Sequence, residues 1–288
     1  MRVVLLILVA AAGRLMLIAA SPARNPVLVE LFTSDGCTEC PEADRLLQRL
    51  DAEQPIAGAE LVVLAEHVET FNGLGWRDAF ALPLFAERQR DYARLIGGGM
   101  FVPRSILRSM GGDRVDKSPN PAEIYTPEIV IDGAFGFAGS DWGDAQKSVR
   151  DALSLGEKGV IRVETQRVGR DTRVTMRMEH PPDGILFLAI AHEAAVSRVS
   201  SGMNAGLTLS HVAVVYTLRE IGGMTAAVSG FERSVAEKIQ PESRIVVLVA
   251  KPPDRNVDDA VTLARRGLRK GLRGSGVGRV TAIGVAHF

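Results

Sequence analysis

The chain has 288 residues, 46% of them hydrophobic and 24% charged, a globular composition that excludes extended disorder. Its 34 Lys and Arg balance 34 Asp and Glu, and a net charge of zero excludes an electrostatically driven nucleic-acid binder. The total hides a division: residues 1–157 carry 15 basic and 22 acidic side chains, whereas residues 158–288 carry 19 and 12, which suggests two units.

The first 26 residues read MRVVLLILVAAAGRLMLIAASPARNP. Arg2 supplies a positive start, Val3–Gly13 an apolar run of signal-peptide length, and Ala19–Ala23 the small residues of a cleavage region. Arg14 interrupts the apolar stretch, and a central Arg costs roughly 2.5–3.5 kcal/mol on insertion scales, which disfavours a full membrane span. The segment 1–23 therefore reads as an export signal, with an uncleaved anchor or a buried first helix as alternatives. The implied location is periplasmic or secreted. No later run is long and apolar enough to span a bilayer.

Val27–Thr33 (VLVELFT) reads as a strand, Glu42–Leu50 as a helix with Ala43, Leu46, Leu47 and Leu50 on one face, and Glu60–Ala65 as a second strand. Pro41 suits the helix's first turn. Strand, helix and strand of this length predict a right-handed βαβ unit with parallel strands. A helix follows Pro83, and Gly97–Pro121 reads as a long loop. Thr126-Pro127 opens a third strand, Glu128–Ile131, which turns at Asp132-Gly133. Ser140 is the expected N-cap of a helix running to about Leu155. Gly156–Gly159 marks a domain boundary, giving units 24–157 and 158–288. Beyond it the pattern alternates in the β manner over Val160–Met178, and Ile185–Ala195, Leu207–Glu220, Arg244–Ala250 and Arg279–Phe288 also read as strands. A basic helix is expected over Val257–Leu272. The second unit is thus predicted to be β-rich, an antiparallel sheet or sandwich.

The chain holds two cysteines, Cys37 and Cys40, and a loop that short cannot staple a fold of this size. Their place between a strand and a helix suits dithiol chemistry. The helix amino terminus offers unpaired N–H groups and positive dipole, which stabilise a thiolate at Cys37. The spacing lets Cys40 resolve the mixed disulfide formed by Cys37. Cys37 is read as nucleophile and Cys40 as resolving thiol.

Cys37-Thr38-Glu39-Cys40 between strand and helix, with Thr126-Pro127 ahead of a later strand, resembles the thioredoxin fold. In that fold a cis-proline loop faces the dithiol, and Pro127 matches its place; cis bonds are essentially an X–Pro phenomenon. More narrowly, VELFTSDGCTECPEAD (29–44), His67-Val68 with Leu74-Gly75-Trp76, Arg88-Gln89 with Tyr92, YTPEIVIDGAFGFAGSD (125–141), GMNAGLT (202–208) and Gly278–Phe288 are similar to an uncharacterised family of secreted bacterial thioredoxin-like proteins. The resemblance touches both halves and implies an α/β thioredoxin-like first domain. The chain departs from it at Glu128, where a Gln usually follows the Thr-Pro, at Asp35-Gly36 in place of a bulky aromatic, and over the 97–121 loop.

Thioredoxin's buried acid, which handles the proton of the resolving thiol, occupies nearly the place of Glu30, with a spacing shorter by one residue. Glu30 is accordingly a candidate base for Cys40, the alternative being a wet or loop-capping acid. His67, at a strand's carboxyl edge, is a candidate thiolate stabiliser or a structural histidine. A Zn or Cu(I) site from Cys37, Cys40 and His67 lacks a fourth ligand, and the other histidines show no metal-ligand spacing. No metal or cofactor is implied. The Arg265-Arg266, Arg269-Lys270 and Arg273 cluster reads as a solvated helix face, with membrane-surface contact as the alternative.

The expected function is thiol–disulfide exchange with protein or small-molecule disulfides and a redox partner, without nucleic acid. A non-catalytic binding module and a Cu/Zn-handling protein are the alternatives. Asp35, Glu39 and Glu42 place negative charge around the thiols, which disfavours the thiolate and predicts a poise nearer to reducing thioredoxin than to a strong oxidant.

Overall fold

A strand buried along both faces needs a layer on each side, and β1 (Asn25–Thr33) is buried from Pro26 onward. The computed structural model describes residues 24–96, 124–251 and 277–288. The expected export signal (1–23), long loop (97–121) and basic helix (257–272) all lie outside the described residues. α1 (Cys40–Glu53) takes Pro41 into its first turn and buries Ala43, Leu46, Leu47 and Leu50. The chain returns through β2 (Ala59–His67), parallel to β1 with Val29 opposite Val63, as the βαβ pattern predicts. α2 (Pro83–Leu95), β3 (Glu128–Ile131), β4 (Phe135–Ala138) and α3 (Trp142–Ser154) follow. Asp141, rather than Ser140, caps α3, because its carboxylate accepts from the Asp144 N–H at 2.8 Å.

The remaining described elements are all strands: β5 (Gly159–Val160), β6 (Arg162–Val168), β7 (Asp171–Met178), β8 (Gly184–Arg198), β9 (Thr208–Met224), β10 (Phe231–Glu237), β11 (Ser243–Lys251) and β12 (Arg279–His287). Nine strands form one mixed sheet in the order β4-β3-β1-β2-β9-β8-β11-β12-β5, and β10-β7-β6 form a separate antiparallel sheet. β9 joins β2 in parallel through Ala65 and Val214, so one sheet runs through both halves of the chain.

Strand alternation sorts the two cores. On β8 and β11, Leu186, Leu188, Ile190, Ile245, Val247 and Val249 pack with Val174 and Met176 of the small sheet. Their neighbours Phe187, Ala189, Ala191, Val246 and Leu248 belong to the larger core that includes β1, β2 and the helices. The short strands β4 and β10 escape sequence reading because β4 spans only four residues and β10 is half-buried or exposed throughout, with Arg233 and Glu237 among its half-buried positions.

The same alternation sends Thr33 of β1 toward α1, where its hydroxyl donates to Asp44, and Glu30 toward α2. There Arg88 Nε donates to Glu30 Oε1 at 2.9 Å, Arg88 Nη2 donates to the Tyr92 hydroxyl at 2.8 Å, and that hydroxyl donates to Glu30 Oε2 at 2.6 Å. Glu66 of β2 lies 3.4 Å from Arg88 Nε, and burial pushes its carboxyl well above the usual range. All four side chains are essentially inaccessible. Removing one member of a buried ionic group leaves the others uncompensated. Arg88→Met is therefore expected to lose about 3–5 kcal/mol of unfolding free energy, read from the urea midpoint at neutral pH.

Candidate functional site

The cysteines sit where β1 runs out and α1 begins, joined as a disulfide with Cα atoms 5.4 Å apart. Cys37 is 3% exposed and Cys40 fully buried, while Thr38 and Glu39 between them face solvent. Gly36 is required here: a Cβ on it would lie 2.8 Å from Phe71 Cβ, in the 3₁₀ turn Glu69–Phe71. The Thr126–Pro127 bond is cis, and the Thr126 carbonyl oxygen lies 3.7 Å from Cys37 Sγ. The structure thus brings together Cys37, Cys40 and Pro127. It does not bring Glu30 to them, since Glu30 faces α2 on the other side of the sheet. A change of one residue in spacing along a strand reverses the face.

A buried polar cluster underlies the turn. Asp78 is its hub: Oδ2 accepts from the Asp35 N–H at 2.9 Å and lies 2.7 Å from His67 Nδ1, and Oδ1 accepts from the Phe80 N–H at 2.9 Å. Asp35, His67 and Asp78 bring ligand-type atoms within 4.8 Å of one another. His67 therefore pairs with Asp78, and its Nε2 has no hydrogen-bond partner among the described residues. Beside it lies His211 of β9, its ring edge-to-face with His67 at 4.7 Å between centroids. His211 Nε2 is 3.1 Å from Asp35 Oδ1 and Nδ1 is 3.3 Å from Asp44 Oδ1, ion-pair distances without hydrogen-bond alignment. Burial alone would lower the His211 pKa, but Asp35 and Asp44 outweigh it and raise it to about 9. Burial pushes Asp35 the other way, yet His211, the Ser197 hydroxyl and the His67 charge hold it below the usual carboxylate value.

The second half also covers the turn directly. Asn204 Nδ2 donates to the carbonyls of Asp35 and Cys37, both at 2.8 Å. The Thr38 hydroxyl donates to Met203 Sδ at 3.5 Å, and Ser201 Oγ donates to the Gly75 carbonyl at 2.6 Å. Asp78, Asn204 and His211 escape sequence reading as site residues, although Asn204 falls within the GMNAGLT stretch that carries part of the resemblance. Glu128, next to Pro127, accepts from Gln89 Nε2 at 2.8 Å, and burial raises its carboxyl to about 7 against that hydrogen bond.

The folded chain holds the His211 proton more tightly than an unfolded one, for which the ordinary value is 6.5. That stabilisation is complete below about pH 6.5 and is lost as the pH rises through about 9. Between those limits the wild-type protein is expected to lose on the order of 2–3 kcal/mol more unfolding free energy than His211→Gln. Urea denaturation of both proteins across this range checks it.

A family model described as a protein of unknown function, DUF1223, matches residues 28–118 and 115–250. A search of curated proteins gives no match. Among solved structures, the X-ray crystal structure of protein AGR_C_4864 from Agrobacterium tumefaciens is similar with a TM-score of 0.58 and 19% identity, covering 90% of this chain and 92% of that one. At that identity the likeness concerns the fold. The family match extends across both halves, and the chain belongs to the DUF1223 family.

Proposed function

We propose that the protein is an exported thiol–disulfide oxidoreductase, periplasmic or secreted, whose first half is thioredoxin-like. The observation that carries this reading is the Cys37–Cys40 pair at the amino end of α1, facing the cis Thr126–Pro127 loop. The strand order β4-β3-β1-β2, with β1 and β2 parallel and β3 antiparallel, supports it. So do α1 and α3 on one face, where Arg49 stacks 3.9 Å over Trp142, and α2 on the other. Export rests on the first 23 residues, and a disulfide suits an oxidising compartment. Among the described residues no helix is long and apolar enough to cross a membrane.

In the reducing direction the Cys37 thiolate attacks one sulfur of a substrate disulfide, and the other substrate sulfur leaves and takes a proton from water. Cys40 then gives up its proton and attacks Cys37 Sγ. The mixed disulfide breaks, and the second substrate thiol departs protonated. The cysteine pair loses two electrons and the substrate gains them. The Thr126 carbonyl marks where a substrate backbone approaches. Glu30, held by Arg88 and Tyr92, anchors α2. The exposed Glu39 and Glu42 keep the poise on the reducing side.

The burial of both sulfurs favours a second reading, a binding module in which the disulfide is a static clasp. Turnover separates the two. The wild-type protein is expected to accelerate insulin reduction by dithiothreitol, and Cys37→Ser to abolish the acceleration. Absence of Cys37-dependent turnover would remove the enzymatic reading.

A further inference from the structure

The cysteines are bracketed by two buried carboxylates. Asp35 lies two residues before Cys37, and Asp44 one helical turn after Cys40 on the buried face of α1. Left to themselves, two buried anions beside a thiol disfavour its ionisation. The structure does not leave them to themselves. His211 enters from β9 and inserts its ring between them, 3.1 Å from one carboxylate and 3.3 Å from the other.

We propose that His211 is a positioning residue for the dithiol, a cation supplied by the second half of the chain that offsets Asp35 and Asp44 and so sets the redox poise of Cys37 and Cys40. The inference rests on the thiol-exchange reading above and extends it, because it gives the second half a chemical role. The groups facing His211 from the surrounding elements are Asp35 from the turn after β1, Asp44 from α1, His67 from β2 and the apolar ring of Phe80. Asp78 pairs with His67 Nδ1 at 2.7 Å and accepts from the Asp35 N–H at 2.9 Å, so His67 faces its charge. Asp35 and Asp44 outweigh the opposing effect of burial and keep the His211 imidazole protonated at neutral pH. With His211 charged, the trio carries one net negative charge; without it, two. A more negative surrounding raises the Cys37 thiol pKa, destabilises the reduced pair and makes the dithiol a stronger reductant.

The whole exported chain, equilibrated against glutathione buffers and quenched for thiol counting, tests this. His211→Gln is expected to shift the exchange equilibrium toward the protein disulfide by about fivefold or more. Asp35→Asn, which leaves His211 with a single carboxylate, is expected to shift it the opposite way. The double variant should return toward wild type, a rescue that loss of packing would not produce. If His211→Gln does not fold, Asp35→Asn carries the test alone. Equilibria unchanged in the variants, or shifted in the same direction by both, would overturn the role of His211 while leaving the oxidoreductase reading intact. A wild-type pair that never exchanges with glutathione would overturn both.

Discussion

The parallel pairing of β9 with β2, through Ala65 and Val214, is the constraint on which the site depends. Without it β2 would end the first half's sheet as an open edge, and edges invite unwanted pairing. The same strand β9 carries His211, whose ring lies edge-to-face against that of His67 at the end of β2. The loop that precedes β9 is then drawn over the dithiol, where Asn204 takes the two turn carbonyls. A parallel neighbour requires a long crossover, and here the crossover contains α2, β3, β4, α3 and the first strands of the second half. The two halves therefore complete a single site rather than merely touching.

Buried charge is the second organising feature, and the pleat of β1 and β2 distributes it. Phe32 and Glu66 are register partners, as are Thr33 and His67. Partners share a face and successive residues alternate. Glu66 accordingly joins Glu30, Arg88 and Tyr92 on the α2 side, while His67 joins Asp35, Asp78 and His211 on the α1 side. Each group places a cation among carboxylates, because isolated buried charges are strongly unfavourable and paired ones tolerable. The first group fastens a helix. The second lies under the cysteines.

Much of this could be read locally. The apolar strand, the cysteines, the Pro41 helix start and the Thr126-Pro127 step are contiguous signals, and the structure assembles Cys37, Cys40 and Pro127 at one place. What could not be read was long-range. His211 and Asn204 reach the site from more than 150 residues away, and no periodicity marks which histidine a distant strand will deliver. Glu30 shows the opposite difficulty: its place in an apolar strand is legible, but its burial and its face depend on a register that only the fold resolves. The charge asymmetry between the halves acquires a specific meaning at the seam. Arg244 of β11 pairs with Asp51 of α1, and Lys158 with Asp132 at 2.7 Å, so basic residues of the second half meet acids of the first.

The proposed oxidoreductase activity requires Cys37 to react under cover supplied by both halves. Trapping tests it most directly. A Cys40→Ser protein, recovered from its native compartment and separated without reductant, should carry a disulfide-linked polypeptide that mass spectrometry places on Cys37 and that reductant releases. Recovery of Cys37 only as an unlinked thiol, under conditions in which the wild-type pair is found oxidised, would contradict it.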